Sequence, residues 1–464
     1  MLKDTIAAVS TPRGKGGVAM IRVSGADALD VCERVFVPHG GGKRLSACAP
    51  RSAVYGHIFV TDADGSRSEI DDGVATVFRE PASFTGEDTV EICCHGGILL
   101  TETVLTAVFA AGARPAEAGE FTKRAFLNGK MGLSSAEALG NLLEAQSREQ
   151  ILLAHTGMNG KTEERCAELY AKLRHLLASV YVCIDYPDED LAELSREEIL
   201  DGLTACAEDV RRLADTYRTG HAVAEGIQTV ICGRPNVGKS SLYNRIVGRD
   251  AAIVTDVEGT TRDVLTETAH LGRVTLRLCD TAGLHETSDR VERIGIDRAR
   301  EELERAELIL AVFDASCEPS EADIALCEEL TAIGASVVAV LNKSDRSGDI
   351  CSEFYGRYFT HTVSISAQTG AGMDKLTALV EDLFVDGALD LRADAVLANA
   401  RQHAAALKAS RALDAAAEAL RMGFPVDVCC SDAEAAMEAL SELDGRAVSE
   451  DLVSEIFSHF CVGK

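Results

Sequence analysis

The sequence predicts a multidomain α/β protein with three parts: an N-terminal α+β domain, an all-helical domain split in two, and an inserted domain. Three textures along the chain indicate this. Residues 1–118 mix short β-rich runs with glycine turns. Residues 119–221 and 385–464 are rich in alanine, leucine and glutamate, with apolar residues at helical spacing. Residues 222–384 alternate strand-like and helix-like runs, which predicts a mostly parallel sheet with helices on both faces.

The individual elements follow from these patterns. In the N-terminal part, strands are predicted at Gly17–Val23, Gly73–Phe78 and Thr89–Cys94, and a helix at Ile98–Ala111. The clearest run of the helical texture is Ala395–Ala417. One helical domain interrupted by an insertion is a more economical reading than two independent helical domains, because each half alone is small. Strands of the inserted domain are predicted at Ile227–Cys232, Val274–Cys279, Leu308–Phe313, Ser336–Leu341 and Thr362–Ile365.

Composition limits the classes of partner and compartment. The 464 residues carry a formal net charge of −28, which disfavours nonspecific binding to polyanions, so a nucleic acid would have to meet a local basic patch. The first residues hold only a four-residue apolar stretch, Ile6–Val9, and no run approaches 18 apolar residues. The fifteen cysteines contain no C-x-x-C pair. We therefore expect a cytoplasmic protein with no membrane span and mostly reduced, buried thiols.

The segment Gly233–Ser241 has the G-x-x-x-x-G-K-[ST] spacing of a phosphate-binding loop between a strand and a helix. Its glycines let backbone N–H groups converge on phosphate oxygens, and the helix N-terminus adds positive potential. Lys239 is placed to reach the β- and γ-phosphates, and Ser240 to hold Mg²⁺. The segment supplies six predicted nucleotide contacts: Asn236, Val237, Gly238, Lys239, Ser240 and Ser241.

Four further elements follow in the order of a guanine-nucleotide site. Thr261, in a polar loop, and Asp280–Gly283, after a predicted strand, suit the Mg²⁺ ion and the γ-phosphate. Asp345, in Asn342–Asp345, can accept the guanine N1–H and N2–H₂ groups, which adenine lacks. Ser366–Ala367 can present a backbone amide to guanine O6. Together the elements predict a Ras-like P-loop G domain, with contacts that include Asp280, Thr281, Ala282, Gly283, Asn342, Lys343, Asp345, Ser366 and Ala367.

Two details distinguish this site from that of Ras-like enzymes. Leu284 stands where those enzymes place a water-orienting glutamine, so the catalytic group must come from elsewhere. Asn236 offers a neutral oxygen next to the phosphates, which with loop carbonyls can coordinate a monovalent cation. Such a cation would supply the positive charge that an arginine finger supplies elsewhere, a contribution of about 10³–10⁵ in rate.

At this point the chain resembles a known family, the MnmE (TrmE) tRNA modification GTPases, over essentially its whole length. The segment Phe457–Lys464 at the end of the chain is especially diagnostic. The other segments that carry the resemblance are Gly14–Val18, Ile21–Gly25, Phe84–Asp88, His95–Gly97, Gly119–Thr122, Arg124–Lys130, Asp280–Leu284 and Val291–Gly295.

The resemblance implies an architecture that matches the three textures, and a function. Members form homodimers through their N-terminal domains and use GTP, Mg²⁺ and K⁺. With an FAD-dependent partner protein, in a heterotetramer, they install a carboxymethylaminomethyl or aminomethyl group on C5 of the wobble uridine of certain tRNAs. The one-carbon unit comes from a 5-formyl or 5,10-methylene tetrahydrofolate.

The resemblance also implies roles for residues near the nucleotide. Ser240 and Thr261 would hold Mg²⁺, and Glu292 would orient the attacking water, with Lys239 as the other catalytic group. Without the resemblance, the alternative for Glu292 is a solvated carboxylate at a helix start. Potassium would contact Asn236, Thr255, Val257 and Thr260. The loop that adds further GTP contacts comprises Thr255, Asp256, Val257, Glu258, Gly259, Thr260 and Thr261.

By the same resemblance, folate would bind to Arg22, Glu91, Lys130 and Lys464, where cations suit the glutamate tail and a carboxylate suits the pterin N–H groups. From the residues alone, Arg22 is equally a structural salt-bridge residue and Lys464 a frayed terminus. Cys461 is either a reactive thiol or a packing residue. Basic residues that either line a tRNA cleft or are ordinary helix-face charges are Lys123, Arg124, Lys130, Arg401, Lys408 and Arg411.

Two other functions compete with this interpretation. A GTPase switch in ribosome assembly would use the same G domain as a timer, but that class lacks the N-terminal and C-terminal segments. A membrane-remodelling GTPase would need an amphipathic or polybasic segment, and an acidic chain fits anionic lipid poorly.

Overall fold

The structure is a computed structural model that describes residues 4–62, 64–185, 195–248, 266–279, 302–346 and 351–463. The chain divides into two compact units, Met1–Gly140 with Asp444–Lys464, and Asn141–Leu443. The α+β, all-helical and mostly parallel parts are all present, so the predicted fold class is confirmed. The three domain boundaries, after residues 118, 221 and 384, stay a prediction.

The first unit contains a seven-stranded sheet in the order β3-β4-β5-β6-β2-β1-β7. Neighbouring strands run antiparallel except β1 and β7, which are parallel. The strands are β1 (Ile6–Val9), β2 (Val18–Ser24), β3 (Phe36–Pro38), β4 (Ser52–Thr61), β5 (Arg67–Phe78), β6 (Thr89–His95) and β7 (Arg114–Pro115).

Two helices, α1 (Ala28–Val35) and α2 (Ile98–Ala110), share one apolar core with this sheet. In β2 the buried residues Ala19, Ile21 and Val23 alternate with less buried ones, as the two-residue period of a strand requires. Arg22 therefore projects from the face opposite to Ile21.

The rest of the first unit is helical. Helices α3 (Glu120–Leu127), α4 (Leu133–Glu144) and α15 (Glu450–Ser458) supply a small apolar cluster with Leu133 and Phe457 fully buried. The C-terminal segment then returns to the sheet, because Ala118 pairs with Val462 and the Ser10 hydroxyl donates to the Gly463 carbonyl at 3.0 Å. This places the end of the described chain beside β1.

The second unit contains a six-stranded sheet in the order β13-β12-β11-β8-β10-β9, parallel except between β9 and β10. Apolar cores lie on both faces. The strands are β8 (Ile227–Cys232), β9 (Thr266–Leu271), β10 (Val274–Cys279), β11 (Leu308–Asp314), β12 (Ser336–Asn342) and β13 (His361–Ser364). The described helices between them are α9 (Lys239–Val247), α10 (Glu321–Thr331) and α11 (Ser352–Tyr355), and α12 (Met373–Phe384) follows β13.

The remaining helices of the second unit are α5 (Arg148–Met158), α6 (Lys161–Asp185), α7 (Arg196–Asp215), α8 (Tyr217–Ala224), α13 (Ala400–Arg421) and α14 (Val426–Asp444). Four of them, α6, α7, α13 and α14, share one all-helical core, while α5 and α8 contribute Leu153 and Val223 to a smaller cluster. Buried residues from Cys166 to Ala214 and from Leu397 to Leu443 belong to the same apolar cluster, so both sequence segments contribute to it. Among the described residues, no helix has both the length and the apolar run that crossing a bilayer requires.

Element boundaries agree best for two neighbouring strands of the second sheet. The strands at Ile227–Cys232 and Val274–Cys279 match the prediction at both ends. The helix predicted from Ala395 begins instead at Ala400, because the Asn399 side chain accepts a hydrogen bond from the Gln402 amide and caps the helix there. Five strands were not predicted from the sequence: β1, β3, β4, β7 and β9.

Candidate nucleotide-binding site

The phosphate-binding segment lies between the end of β8 and the start of α9. Gly233 and Gly238 have φ values of +141° and +103°, which favour glycine, and Asn236 has a φ of 65°. A Cβ on Gly238 would lie 2.1 Å from the Asn342 amide nitrogen, so a side chain there has no room. Helix α9 then begins at Lys239 without a side-chain cap on its first N–H groups, which suits an anion.

The Lys239 ammonium folds back over this loop. Its Nζ donates to the Gly233 carbonyl at 2.7 Å and to the Arg234 carbonyl at 2.8 Å. Burial lowers the pKa of Lys239. Because both acceptors are neutral carbonyls, the loop orients the ammonium without cancelling its charge. A phosphate can therefore meet an uncompensated cation here.

Asn342 joins the phosphate end of the site to the base end. Its side chain is buried, donates to the Val237 carbonyl at 2.9 Å and accepts from the Ala367 amide at 2.9 Å. Lys343 adds a second connection, since its Nζ donates to the Asn236 carbonyl at 2.7 Å. One amide side chain thus fixes two loops that come from distant parts of the sequence.

Asp314, at the end of β11, holds the other side of Lys343, with 2.6 Å between the Asp314 Oδ2 and the Lys343 Nζ. Burial alone would raise the pKa of Asp314, but hydrogen bonds from Lys343 and Ser316 outweigh it, and the pKa is lowered. The sequence analysis missed Asp314. The available signal was a carboxylate at the carboxyl end of a central parallel strand, where α/β proteins place binding groups.

At the base end, a hydrogen bond from Ser366 lowers the pKa of Asp345. That keeps Asp345 an ionised acceptor, as recognition of guanine N–H groups requires. The loop that follows Ser366 is held by Arg245, whose Nε donates to the Ala367 carbonyl at 3.0 Å. Arg245 therefore braces the loop that carries Ser366, the hydrogen-bond partner of Asp345.

These groups surround one cavity of about 600 Å³. Of the five predicted elements, the cavity brings together the phosphate loop, Asn342–Asp345 and Ser366–Ala367. Its lining residues are Pro235, Asn236, Gly238, Lys239, Ser240, Ser241, Asn342, Lys343, Asp345, Arg346, Ser366, Ala367 and Gln368. Pro235, Arg346 and Gln368 were not among the predicted contacts, although each is next to one in the sequence.

The other predicted nucleotide residues lie outside the described residues, so the prediction for them is unchanged. They are Thr255, Asp256, Val257, Glu258, Gly259, Thr260, Thr261, Asp280, Thr281, Ala282, Gly283 and Glu292. Of the two predicted Mg²⁺ ligands, Ser240 lines the cavity, where its hydroxyl is a suitable oxygen donor, and Thr261 belongs to that set.

In the first unit, Arg22 and Glu91 face each other across β2 and β6. The Arg22 guanidinium contacts the Glu91 carboxylate through Nη2 at 2.8 Å and Nε at 2.9 Å. It also lies 5.4 Å from the ring centre of Phe84 and 5.6 Å from that of Phe121. The two predicted folate residues are therefore brought together, and they neutralise each other.

The remaining residues of the predicted folate site are Lys130 and Lys464, and Cys461 is the candidate reactive thiol of the same unit. Lys130 donates from Nζ to the Pro81 carbonyl at 2.8 Å, and its side chain packs on Gly86. Lys464 lies outside the described residues. Cys461 is exposed, and its carbonyl accepts a hydrogen bond from the Gly119 amide at 3.4 Å.

One candidate tRNA-cleft residue is wrong. Arg124 is 1% exposed, and its guanidinium forms ion pairs with Asp4, Glu87 and Glu120. A guanidinium buried and compensated in this way serves the packing of the first unit and offers nothing to a phosphate backbone. A basic residue on an amphipathic helix can face inward when several acids surround it, which the sequence alone did not reveal.

Two more of these basic residues have internal partners. Arg401 donates to the Glu442 carbonyl at 2.7 Å, and Lys408 forms an ion pair with the Glu442 carboxylate at 2.7 Å. Both contacts tie α13 to α14. This favours the helix-face interpretation for these two residues.

Comparisons with known proteins cover the whole chain. The family model described as GTP-binding protein TrmE N-terminus matches residues 5–130, and the one described as MnmE helical domain matches residues 133–461. A "tRNA modification GTPase MnmE" from Symbiobacterium thermophilum is 41% identical, with 100% of each chain covered. Proteins of the same name are 37% identical in Thermoanaerobacter pseudethanolicus (100% of each chain) and 39% in Bacillus subtilis (99% of this chain, 100% of the relative).

Among solved structures, Aquifex aeolicus Era Y63A bound to GDP.AlF4⁻ is 26% identical over 40% of this chain and 65% of that chain, with a TM-score of 0.28. The G domain of the Thermotoga maritima FeoB iron transporter is 25% identical over 33% of this chain and 96% of that chain, with a TM-score of 0.26. At these TM-scores the likenesses support no conclusion about this chain.

Proposed function

The chain belongs to the MnmE family of tRNA modification GTPases, and from this premise we propose that it is a potassium-dependent GTPase that modifies C5 of the wobble uridine of certain tRNAs. It acts with an FAD-dependent partner and uses a tetrahydrofolate one-carbon unit, so that the uridine gains a carboxymethylaminomethyl or aminomethyl group. The observation that carries the nucleotide part is the single cavity that joins the phosphate loop to Asn342–Asp345.

Different residues of the cavity bind different parts of GTP. Lys239 supplies an oriented positive charge to the β- and γ-phosphates, and the start of α9 supplies backbone N–H groups. Asp345 accepts from the guanine ring, and Asn342 keeps the base and phosphate ends at a fixed separation. Ser240, with Thr261, holds Mg²⁺, which supplies charge neutralisation on the phosphates when bound.

Potassium dependence is supported by Asn236. The Asn236 backbone carbonyl already accepts from Lys343, and its side chain is exposed at the cavity, which leaves the amide oxygen for a cation. The proposed K⁺ contacts are Asn236, Thr255, Val257 and Thr260. Glu292 is the proposed residue that orients the attacking water, because Leu284 has no polar group for that purpose.

The folate part is supported by the chemistry of Arg22, Glu91 and Lys130. Two cations and a carboxylate match a ligand with a carboxylate tail and a pterin ring rich in N–H donors. Lys464 is proposed as a further cation, because its neighbour Gly463 lies against Ser10 of the same unit. Cys461 is exposed, so a reactive thiol at this position would be accessible to a substrate.

The proposed assembly and location follow from the family. The chain forms a homodimer, joins the FAD-dependent partner in a heterotetramer, binds tRNA and acts in the cytoplasm. The net charge of −28 makes the partner the main source of basic surface for the tRNA.

The experiment that tests this function is reconstitution. The full chain is combined with the FAD-dependent partner, unmodified tRNA, GTP, Mg²⁺, K⁺ and a tetrahydrofolate one-carbon donor, and the tRNA nucleosides are analysed by mass spectrometry. We expect a mass gain on the wobble uridine that requires GTP. Unmodified uridine, despite GTP hydrolysis in the same mixture, would contradict the proposal.

A further inference from the structure

Three metal-ligating side chains meet where β5 passes the end of β6. They are Asp71, Asp72 and His95, and one ligand atom from each lies within 4.8 Å of those from the other two. None of the three belongs to the proposed nucleotide or folate residues. His95 opens the His95–Gly97 segment, to which the proposed function gives no role.

The spacing between Asp71 and His95 suits a shared ion. The His95 Nδ1 lies 2.7 Å from the Asp71 Oδ1, and the His95 amide donates to the Asp71 Oδ2 at 2.9 Å. Two neighbouring ligands of one ion, each with a bond of about 2.1 Å, stand about 3 Å apart. The distance between the His95 Nδ1 and the Asp71 Oδ1 is therefore close to that between two ligands of one ion, and a metal ion can replace the proton that now joins them once the imidazole turns toward it.

The second carboxylate is oriented by its own partner. The Tyr55 hydroxyl donates to the Asp72 Oδ2 at 2.7 Å, which leaves the Asp72 Oδ1 for another contact. Such hydrogen bonds from outside a ligand set are what fixes ligand orientation in metal sites.

The charge balance favours a cation. Asp71 is nearly buried, with 8% of its side chain exposed, and among the described residues neither carboxylate forms an ion pair with a lysine or arginine. The imidazoles nearby are those of His95, which pairs with Asp71, and of His57, which lies opposite Asp72 and pairs with Glu69, so the carboxylates outnumber the imidazoles. The His95 side chain is 67% exposed, so solvent reaches the position between Asp71 and Asp72.

We propose that Asp71, Asp72 and His95 form a binding site for a divalent first-row transition ion, of the class from Mn²⁺ to Zn²⁺. One imidazole with two carboxylates is a mixed set, softer than the all-oxygen sites of Mg²⁺ and Ca²⁺ and harder than thiolate sites. Water completes the coordination on the exposed side. The bound ion ties β5 to the end of β6.

The test uses Mn²⁺ alone, because the chain's many thiols would compete for Zn²⁺. Full-length, metal-stripped and nucleotide-free protein is titrated with Mn²⁺, and free Mn²⁺ is measured by electron paramagnetic resonance. The variants are His95→Ala, at an exposed position, and Asp64→Asn as the matched control. Asp64 is a carboxylate between β4 and β5 that accepts hydrogen bonds from Ser66, outside the cluster.

We expect wild type and Asp64→Asn to bind one Mn²⁺ per chain that His95→Ala binds at least about tenfold more weakly. Mn²⁺ should also raise the melting temperature of wild type more than that of His95→Ala, since an ion that binds only the folded chain stabilises it. Equal Mn²⁺ binding by wild type and His95→Ala, or none by wild type, would overturn the proposal.

Discussion

The nucleotide cavity and the Arg22–Glu91 pair differ in the groups that hold their cationic side chains. Lys239 is held by two neutral carbonyls, so its charge stays available to a phosphate. Arg22 is held by the Glu91 carboxylate at 2.8 Å, so each charge already has its partner. The first site is organised for an anion in advance, whereas a ligand at the second has to share or replace an internal ion pair.

This difference changes what a substitution measures. Because neutral carbonyls hold the Lys239 ammonium, removing it leaves no carboxylate without a partner in this loop. The substitution should therefore change nucleotide binding and hydrolysis rather than the free energy of unfolding. Removing either Arg22 or Glu91 leaves the other without its partner, and the free energy of unfolding should change together with ligand affinity. The predictions below separate these two outcomes, from the largest effect to the smallest.

The largest effect is expected for Lys239→Ala. Loss of a preorganised positive charge at the phosphates should lower the single-turnover rate of GTP hydrolysis by about 10²–10³. Lys375→Ala, which removes an exposed lysine on α12, is the control and should hydrolyse GTP like wild type. A Lys239→Ala rate within threefold of wild type would show that the ammonium does not act on the phosphates.

The next largest effect is expected for Asp345→Asn. Exchanging the ionised acceptor for an amide removes charge-assisted hydrogen bonds worth about 1.5–3 kcal/mol, which is about 10–150-fold in GTP affinity. Xanthosine triphosphate, which carries a carbonyl in place of the guanine amino group, should bind the variant better than it binds wild type. Equilibrium binding of both nucleotides provides the check, and an unchanged preference for GTP would remove Asp345 from the base site.

A smaller effect is expected at the ion pair. Arg22→Ala and Glu91→Ala should each weaken binding of 5-formyltetrahydrofolate by about tenfold in calorimetry, because each removes one charged contact. Each should also lower the melting temperature. Wild-type affinity in both variants would refute the folate assignment.

The double variant Arg22→Ala/Glu91→Ala separates the two causes. It leaves no unpartnered charge, so its melting temperature should recover toward wild type while folate binding stays weak. If folate binding recovered along with the melting temperature, the single-variant losses would come from destabilisation alone.

The smallest effect on ligand binding is expected at an ion pair in the second unit, which acts on stability instead. His221 lies between Glu225 and Glu307, and hydrogen bonds to these carboxylates raise its pKa to about 9. Because the folded pKa lies above the ordinary value of 6.5, the stabilisation is complete below pH 6.5 and is lost as the pH rises through about 9. His221→Gln should therefore be less stable than wild type at pH 6, by an amount on the order of 1–3 kcal/mol.

The measurement is urea unfolding of wild type and His221→Gln at pH 6 and pH 10. The difference in free energy of unfolding should shrink at pH 10, where the imidazole of wild type is neutral. His175→Gln, which changes an exposed histidine on α6, is the control. A difference that stays constant with pH would mean that the His221 charge does not contribute.

The convergence of the groups around the nucleotide cavity could be predicted from the sequence, whereas the pairing of Arg22 with Glu91 could not, for a physical reason. The phosphate loop and Asn342–Asp345 are short segments at the ends of strands, so their groups converge once a parallel sheet forms. The bracing roles of Asn342 and Asp314 depend on distant loops meeting and were not predicted. The pairing of Arg22 with Glu91 depends on β2 lying beside β6, which no local sequence pattern indicates.

The features that were not predicted from the sequence also depend on contacts between distant residues. Strand β4 carries apolar residues in both alternating sets of positions, such as Val54 and Phe59, and includes Gly56, so its two-residue period is weak. It is held mainly by pairing with β5. The sequence suggested that Arg124 is a surface cation, because its carboxylate partners Asp4 and Glu87 are far away in the sequence. In both cases tertiary pairing decides the outcome.

The most direct test of the account is single-turnover GTP hydrolysis in KCl and in NaCl at matched ionic strength. Potassium at Asn236 would add the positive charge that Lys239 alone does not supply, so we expect a potassium-specific acceleration on the order of 10²-fold or more. Asn236→Ala should lose that acceleration. Equal wild-type rates in the two salts would contradict the account and make the cavity that of a GTPase without a monovalent-cation cofactor.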